Sequence, residues 1–211
     1  MTLKLFYKDP YLTECDARVL RVRGREVLLD QTIFFAFSGG QESDKGEIGG
    51  IRVEEARVSG KDIIYFLEKE PEFREGDEVK IRIDGERRKK IMRLHSAAHL
   101  VYFIFAEKTG IRKLIGSHIG EEKARLDYSY PQPVSELLPE IEKRVNELIS
   151  QNLEIKTYPD KDDPEKRWWE CEKWKCPCGG LHPKSTGEIG RIKLKRKNIG
   201  AGKERIEIFL E

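Results

Sequence analysis

The stretch DGERRKKIMRLHSAAHLVYFIFAEKTG, residues 84–110, divides the sequence into two parts with different residue patterns. From Glu86 onward it contains no Gly or Pro until Gly110, and its apolar residues recur at helical spacing. This pattern predicts a helix over residues 86–108, with Asp84 as its N-cap. The buried side of this helix is expected to carry Ile91, Leu94, Ala98, Val101, Tyr102 and Phe105.

The sequence before this helix predicts short strands separated by turns. Segments rich in Val, Ile and Leu are interrupted at Gly24, Ser59-Gly60 and Gly76-Asp77. The predicted strands cover residues 15–23, 26–29, 51–58, 62–67 and 78–83. Short strands at near-even spacing are typical of a small antiparallel β-barrel, which we expect over residues 1–84.

The sequence after the helix predicts an α+β domain over residues 85–211, in which helices pack on an antiparallel sheet. A second amphipathic helix is expected over residues 134–152. Further strands are expected over residues 123–128, 153–158, 189–197 and 205–210. Gly200-Ala201-Gly202 is predicted to close a hairpin between the last two strands.

Charge is distributed unevenly along the chain. The 211 residues include 40 Lys and Arg and 38 Asp and Glu, but residues 1–84 carry a net charge of −4 and residues 85–211 a net charge of +6. The basic part is compatible with nucleic-acid binding without requiring it. No apolar run approaches 18 residues, and Met1-Thr2-Leu3-Lys4 does not begin a signal peptide, so we expect a cytoplasmic protein without a membrane partner.

Three of the four histidines fall into two pairs with chelating spacing. His95 and His99 lie one helical turn apart, which places both imidazoles on one side of the helix. Cys178 and His182 have the same separation across a Gly-Gly turn. Together they would provide three nitrogens and one thiolate, a donor set suited to one Zn²⁺ ion. Ser96 occupies the position of the general base in H-E-x-x-H metalloproteases, which argues against that class.

Two alternatives compete with this four-residue site. The histidines of the helix could be core residues. A separate zinc knuckle could also form from Cys171, Cys176, Cys178 and His182. Cys15 lies in a predicted strand and is interpreted as a small buried residue, and a disulfide is not expected.

These residues resemble a known family. His95-Ser96-Ala97-Ala98-His99-Leu100, Cys178-Gly179-Gly180-Leu181-His182 and the following Ser185-Thr186-Gly187-Glu188 are similar to motifs of the editing domain of alanyl-tRNA synthetase and of its freestanding relatives, the AlaX proteins. Thr32-Ile33-Phe34-Phe35, Ser38-Gly39-Gly40-Gln41 and Asp44-Lys45-Gly46 resemble the glycine-rich motif of the synthetase, with Ala36 and Ser38 departing from it. The length resembles the medium type of AlaX protein.

The resemblance implies an editing hydrolase that acts in trans on mischarged tRNA(Ala). Its substrates would be Ser-tRNA(Ala) and Gly-tRNA(Ala), and one zinc ion would assist the attack of water on the aminoacyl ester. Four protein ligands raise a difficulty, because catalytic zinc normally keeps one position open. The alternatives are a threonyl-type editing domain and a zinc-containing tRNA-binding module without catalysis.

Further residues are predicted to contact the substrate. The candidate walls of the amino-acid pocket are Thr32, Gly39, Gly40, Gln41, Ser117, His118 and Thr186. Candidate nucleic-acid contacts are Arg87, Arg88, Arg191, Lys193, Lys195 and Lys197. The last four alternate with apolar residues, which predicts a basic strand face; a solvated face without a ligand is the alternative. No catalytic residue is assigned: His118 could act as a general base, but a role at the surface or in positioning substrate is favoured for it. No stable protein partner is implied, and the oligomeric state is not predicted.

Overall fold

The computed structural model describes residues 2–200 and 202–211, so Met1 and Ala201 lie outside it. Two compact units form from these residues: unit 1 comprises residues 2–38 and 42–89, and unit 2 comprises residues 39–41, 90–200 and 202–211. The predicted α+β class is confirmed. The division into domains of residues 1–84 and 85–211 stays a prediction. The hairpin connection predicted at residues 200–202 includes Ala201 and lies partly outside the described residues.

Unit 1 is built from antiparallel strands. Its strands are β1 (Leu3–Lys4), β2 (Glu14–Arg23), β3 (Glu26–Leu29), β4 (Gln31–Thr32), β5 (Gly46–Ile48), β6 (Ile51–Ser59), β7 (Asp62–Leu67) and β8 (Glu78–Ile83). The hydrogen-bonded order β2-β3-β7-β6-β5-β8 closes when β8 pairs with β2. Alternation along β7 and β8 buries every second side chain, because successive residues of a strand point to opposite faces. The separate short pair β1 and β4 is parallel.

Helix α1 (Gly85–Thr109) begins and ends where its sequence predicts. Asp84 acts as the N-cap, since its Oδ1 accepts the Arg87 backbone N–H at 2.9 Å. At the other end, Gly110 has φ +74° and donates to the Ala106 carbonyl at 2.9 Å. A left-handed glycine after the last turn is the usual way to satisfy terminal carbonyls. Residues 85–89 of α1 belong to unit 1 and residues 90–109 to unit 2.

Unit 2 combines helices with two antiparallel sheets. Its further elements are β9 (Leu114–Ile119), β10 (Ala124–Ser129), α2 (Leu138–Ser150), β11 (Lys156–Pro159), β12 (Arg167–Cys171), β13 (Trp174–Pro177), β14 (Ile192–Asn198) and β15 (Lys203–Leu210). The strand orders are β14-β15-β10-β9 and β11-β12-β13. One core joins both sheets to the helices; its fully buried members include Phe105, Leu126, Ile141, Trp169 and Ile206.

The helix predicted over residues 134–152 is divided. Val134–Glu136 form a 3-10 turn, and α2 starts only at Leu138. Pro139 explains the new start, because proline lacks a backbone N–H and is accepted in the first turn of a helix but not in its interior. The strand expected from residue 189 begins at Ile192 instead, after a 3-10 turn over Thr186–Ile189.

Helix α2 also covers the free edge of β14. The Asn146 side chain accepts the Ile192 N–H at 2.9 Å and donates to its carbonyl at 3.0 Å, while Glu142 accepts the Leu194 N–H at 2.8 Å. These bonds replace the partner strand that an edge lacks. Among the described residues, neither α1 nor α2 has the length and apolar composition that crossing a membrane requires.

Candidate metal centre

Four side chains predicted to bind zinc lie together in unit 2. Helix α1 supplies His95 and His99, and the segment after β13 supplies Cys178 and His182. One donor atom from each lies within 4.8 Å of the others. The Cys178 backbone N–H donates to the Arg167 carbonyl at 2.8 Å, which holds this segment against β12.

The three imidazoles present the same nitrogen to the thiol. From Cys178 Sγ, the Nε2 atoms of His95, His99 and His182 lie at 3.5, 3.3 and 3.2 Å. In tetrahedral zinc sites the ligands lie about 2.0–2.3 Å from the ion, which separates neighbouring donor atoms by about 3.3–3.6 Å. The donor set and the three sulfur–nitrogen distances therefore fit one Zn²⁺ ion, whereas the four donor atoms as a set spread to as much as 4.8 Å.

The opposite nitrogen of each ring has its own partner. His95 Nδ1 lies 2.7 Å from Gln41 Oε1, and His182 Nδ1 lies 2.8 Å from Ser96 Oγ. The third, His99 Nδ1, lies 3.3 Å from Cys176 Sγ. Because an amide oxygen only accepts, the Gln41 contact requires the proton on Nδ1 and leaves Nε2 free for a metal.

Burial keeps these rings uncharged. Desolvation lowers the pKa of His99 to about 4, and desolvation together with the neighbouring His99 lowers the pKa of His95 well below its usual value. Burial also raises the pKa of the Cys178 thiol to about 11. Neutral imidazoles are the form that binds metal, whereas the thiol has to lose its proton on binding.

The glycine-rich segment forms one side of this centre within unit 2. The Ile119 N–H donates to the Gly40 carbonyl at 2.8 Å, and Gln41 makes a parallel bridge to Ile119 at the edge of β9. Gln41 Oε1 also accepts the Leu181 N–H at 2.9 Å. A side chain on Gly40 would press on Ser117, whose Oγ lies 3.1 Å from the Cβ position. Gly39, Gly40, Gln41 and Ser117 are thus brought together.

A second glycine permits close packing at the centre. A Cβ atom on Gly180 would lie 2.1 Å from His95 Cε1 and 2.7 Å from Gln41 Oε1. Real Cβ contacts of this length do not occur, so only glycine leaves room for the imidazole and the amide together. The Gly180 N–H also lies 3.4 Å from Cys178 Sγ.

Two residues predicted to line the pocket, Thr186 and Thr32, instead use their hydroxyls in hydrogen bonds within the fold. Thr186 is fully buried, accepts the Leu153 N–H and donates to the Leu148 carbonyl, both at 2.8 Å. Thr32, in unit 1, is fully buried and bonds Tyr65 Oη at 2.6 Å. The Thr186 hydroxyl has no proton left for an additional ligand, and the Thr32 oxygen is bonded both to Tyr65 Oη and to the Phe34 N–H. His118 is half-buried on β9, opposite Arg125 of β10.

Arg87 and Arg88 lie inside unit 1, which corrects the prediction that they form a basic surface. They are 4% and 2% exposed. The Arg88 guanidinium pairs with Asp44 and donates to the Ile33 carbonyl at 2.7 Å, and Arg87 pairs with Glu42. Sequence position at the start of a helix suggested exposure. Their carboxylate partners lie more than forty residues earlier in the chain, so no local pattern revealed the ion pairs.

The predicted basic strand face is present on β14. Lys193, Lys195 and Lys197 are exposed and lie on one face, because alternate residues of a strand share a face. Lys193 pairs with Glu142 at 2.8 Å, and Lys195 lies 4.9 Å from the centre of the Phe209 ring. Arg191, also exposed, precedes the strand and pairs with Glu211 at 2.8 Å.

The same face continues across β15 and β10. Register places Glu207 beside Lys195 and Asp127 beside Arg205. Both acids are already paired, Glu207 with Lys123 at 2.7 Å and Asp127 with Arg205 at 2.7 Å. These two carboxylates therefore have partners other than the lysines of β14, of which Lys193 is paired with Glu142.

Sequence reasoning missed the residues that orient the ligands. Ser96 was considered only as a replacement for a protease glutamate, and Cys176 only as a ligand of an alternative knuckle. Trp169, whose ring is stacked 4.8 Å from that of His99, was not connected with the site. The C-x-C spacing of Cys176 and Cys178 was the available signal for Cys176. No sequence signal linked Gln41 to His95 across 54 residues.

Comparison with known proteins adds two family matches and full-length relatives. The model for the threonyl and alanyl tRNA synthetase second additional domain matches residues 168–207, and that for class II (A) tRNA synthetases matches residues 6–87. The chain is 39% identical to the alanyl-tRNA editing protein AlaX-M of Pyrococcus horikoshii, over 100% of this chain and 99% of that protein.

Alanine–tRNA ligases are also similar over nearly the whole chain. Identity is 34% to the ligase of Methanococcus maripaludis, over 96% of this chain, and 35% to that of Thermococcus kodakarensis, over 97%. The chain spans 25% of the length of each ligase. Similarity to these larger proteins is therefore similarity to one part of them.

Proposed function

The chain belongs to the family of AlaX-M alanyl-tRNA editing proteins, and we propose that it hydrolyses the aminoacyl ester of mischarged tRNA(Ala). The substrates would be Ser-tRNA(Ala) and Gly-tRNA(Ala). The observation that carries the proposal is the convergence of three Nε2 atoms on Cys178 Sγ within a chain that matches an editing protein over its full length. A cytoplasmic location follows from this substrate and stays a prediction.

His95, His99, Cys178 and His182 would hold one zinc ion. A bound zinc ion polarises an ester carbonyl or lowers the pKa of a water molecule to about 7. Gln41 and Ser96 keep two of the rings in position through their Nδ1 atoms. If all four residues were ligands, no position would stay open for water, and the metal would then orient the substrate amino group.

The pocket for the amino acid would adjoin the glycine-rich segment of unit 2. The Gln41 side-chain nitrogen makes no hydrogen bond among the described residues, while its oxygen is bound to His95 and Leu181. This nitrogen and the Ser117 hydroxyl are the donors that we assign to substrate, with the Gly39-Gly40 backbone beside them and His118 as a further candidate. A site that bonds the serine hydroxyl can reject alanine by about 10⁴-fold, because its polar groups would otherwise stay unpaired.

The tRNA backbone would contact the basic face of β14, including Arg191, Lys193, Lys195 and Lys197. Phosphate contacts make affinity depend on salt, with a slope of about −0.7 to −0.9 per contact in a plot of log K against log salt concentration. Replacing all three lysines with Gln should therefore flatten that slope by about 2 to 3. An unchanged slope would assign these lysines to a solvated face only.

A deacylation assay tests the proposal directly. Purified, zinc-loaded protein is incubated separately with Ser-tRNA(Ala), Gly-tRNA(Ala), Ala-tRNA(Ala) and Ser-tRNA(Thr), and loss of the aminoacyl ester is followed. We expect hydrolysis of the first two and survival of Ala-tRNA(Ala). Cys178→Ala should lose both zinc and hydrolysis, whereas Cys15→Ala, which removes a thiol from β2 of unit 1, should keep both.

Each alternative has its own outcome. Preferred hydrolysis of Ser-tRNA(Thr) would identify a threonyl-type editing activity, which the description of the matched second additional domain also includes. Tight tRNA binding without hydrolysis would identify a non-catalytic module. Equal hydrolysis of the seryl and alanyl esters would contradict the selectivity argument, and persistence of zinc in Cys178→Ala would remove Cys178 from the ligands.

A further inference from the structure

The hairpin formed by β12 and β13 contacts one metal ligand with two side chains that are not ligands themselves. Trp169 and Cys176 are directly opposite each other in the antiparallel register. Cross-strand partners share a face of the sheet, and both side chains of this pair reach His99. The Trp169 ring is stacked on the imidazole at 4.8 Å with an interplanar angle of 19°, and Cys176 Sγ lies 3.3 Å from Nδ1.

These two contacts restrict different motions of the His99 ring. On one side the imidazole is stacked with Trp169 and on another with His95, whose ring lies 5.0 Å away at 12°. The stacks define the plane of the ring. They do not distinguish Nδ1 from Nε2, because a half-turn about the Cβ–Cγ bond preserves the plane. The Cys176 contact supplies that distinction, since it places a polar partner at Nδ1 alone.

The pattern matches the other two histidines, whose Nδ1 atoms meet Gln41 Oε1 and Ser96 Oγ. We propose that Trp169 and Cys176 are positioning residues that hold His99 with Nε2 directed at the metal and thereby strengthen metal binding. The inference rests on the proposed metal site but not on the identity of the ester that the protein hydrolyses. Partners of this kind around metal-binding histidines contribute about 10- to 100-fold in affinity.

The geometry separates this role from that of a ligand. Cys176 Sγ contacts Nδ1, whereas Cys178 Sγ contacts Nε2 of the same ring at 3.3 Å. The imidazole therefore stands between the two sulfur atoms. An ion bound to Nε2 and Cys178 has the ring between itself and Cys176, so the same ion does not bind both thiols through this arrangement. This differs from the knuckle of Cys171, Cys176, Cys178 and His182.

Zinc affinity measured without substrate is the test. Competition against a chromophoric chelator should give Cys176→Ala a dissociation constant about 10- to 100-fold higher than that of the unsubstituted protein. Cys176→Ser keeps an oxygen acceptor at Nδ1 and should recover most of the affinity. Trp169→Phe keeps a stacking ring and should bind more tightly than Trp169→Leu. Cys15→Ala is the matched control for loss of a thiol.

Cobalt spectroscopy distinguishes positioning from ligation. Thiolate-to-cobalt absorption should have the same intensity in Cys176→Ala as in the unsubstituted protein and should vanish in Cys178→Ala. A lower intensity in Cys176→Ala would make Cys176 a ligand and overturn the proposal, as would unchanged zinc affinity in that variant. Circular dichroism of each variant separates these results from unfolding, and Cys176→Ser keeps the test open if Cys176→Ala does not fold.

The outcomes also separate this inference from the proposed activity. If the affinities follow the expected order but no aminoacyl-tRNA is hydrolysed, the positioning role stands and the proposed function fails. If hydrolysis is observed while Cys176→Ala binds zinc with unchanged affinity, the proposed function stands and the positioning role fails.

Discussion

Each unit buries a group of polar side chains that includes residues of α1, and the two groups differ in how their polar atoms are satisfied. In unit 1, Asp44 accepts the Arg88 guanidinium and the Phe35 N–H, so opposite charges neutralise each other inside the group. In unit 2, three neutral imidazoles and a thiol turn their lone pairs toward the same point. Buried donors complete the first group, whereas the nitrogen and sulfur atoms of the second converge on a point where one metal ion would bind.

This difference distinguishes a structural cluster from a binding site. A buried ion pair needs nothing further once both charges are hydrogen-bonded. Three imidazole nitrogens and one sulfur that converge on one point form a donor set suited to a transition-metal ion. The same helix therefore contributes to stability through Arg88 and to proposed chemistry through His95 and His99.

Replacing Gly180 with Ala should have the largest effect on metal binding, because the new methyl group would collide with side chains of the proposed metal site. The new Cβ would lie 2.1 Å from His95 Cε1 and would displace either the ring or Gln41. We expect loss of stoichiometric zinc and of deacylation, measured by metal analysis and by the Ser-tRNA(Ala) assay. Gly60→Ala in unit 1 is the control: the positive φ of +59° should reduce stability, but no atom lies within 4 Å of the new Cβ, so zinc content should stay normal. Normal zinc content in Gly180→Ala would show that the centre tolerates displacement of His95.

Asp44→Ala tests the buried ion pair between Arg88 and Asp44 in unit 1. It leaves the 2%-exposed Arg88 charge without its carboxylate, a change that typically destabilises proteins by about 3–5 kcal/mol. Chemical denaturation should reveal this loss, while the folded protein should still bind one zinc ion per chain. Lys80→Ala provides a control in which only an exposed pair with Asp16 is removed. A decrease of less than about 1 kcal/mol in the free energy of unfolding would mean that this buried pair contributes no more than an exposed ion pair does.

Most of the fold could be predicted because its pattern is local. The strands β3, β7 and β8 agree with their predicted bounds, since alternating apolar residues and flanking turns define them. Strand β9 was missed because it contains Gly116 and little alternation. Strands β12 and β13 were missed because they are short and charged, and their pairing depends on packing against α1 and the core.

Within the candidate site, only the four proposed metal ligands could be predicted, because their spacing along the sequence is itself informative. A separation of four residues selected His95 with His99 and Cys178 with His182. The partners of their rings follow no such rule, because Gln41 and Ser96 reach their histidines from 54 and 86 residues away. The hydrogen bonds of the Thr32 and Thr186 hydroxyls and the burial of Arg87 and Arg88 were not foreseen for the same reason: sequence identifies a polar group but not whether a partner already satisfies it.

The metal-free protein should lose stability as the pH falls, since desolvation keeps His95, His99 and His182 uncharged in the folded state. Burial lowers the pKa of His99 to about 4, below the value of about 6.5 expected in the unfolded chain. Above pH 6.5 both states are neutral at this ring, and below it the unfolded state binds the proton first. Stability therefore declines between pH 6.5 and 4, by about 2 kcal/mol at pH 5 for this ring alone.

Urea denaturation of chelator-treated protein at pH 7.5 and pH 5.0 measures this effect. His95 and His182 shift in the same direction for the same cause, so the total loss should exceed that of one ring. Zinc-loaded protein at pH 7.5 should be more stable than metal-free protein, because ligand binding to the folded state adds to its stability. Equal stability of the metal-free protein at both pH values would contradict the burial of neutral imidazoles.

Thr186→Val should have the smallest effect. It tests whether a polar side chain is structural because its hydrogen bonds are already made within the fold, whichever unit it belongs to. Thr186 belongs to unit 2, yet its hydroxyl is fully used by Leu153 and Leu148. Removing it should cost about 1–2 kcal/mol, because two buried backbone groups lose a partner. Zinc affinity and the preference for seryl over alanyl ester should not change, and Thr186→Ser should restore stability. If the variant lost that preference while its stability stayed intact, Thr186 would be a residue of the substrate pocket. The distinction between side chains satisfied within the fold and side chains that bind a ligand would then be wrong.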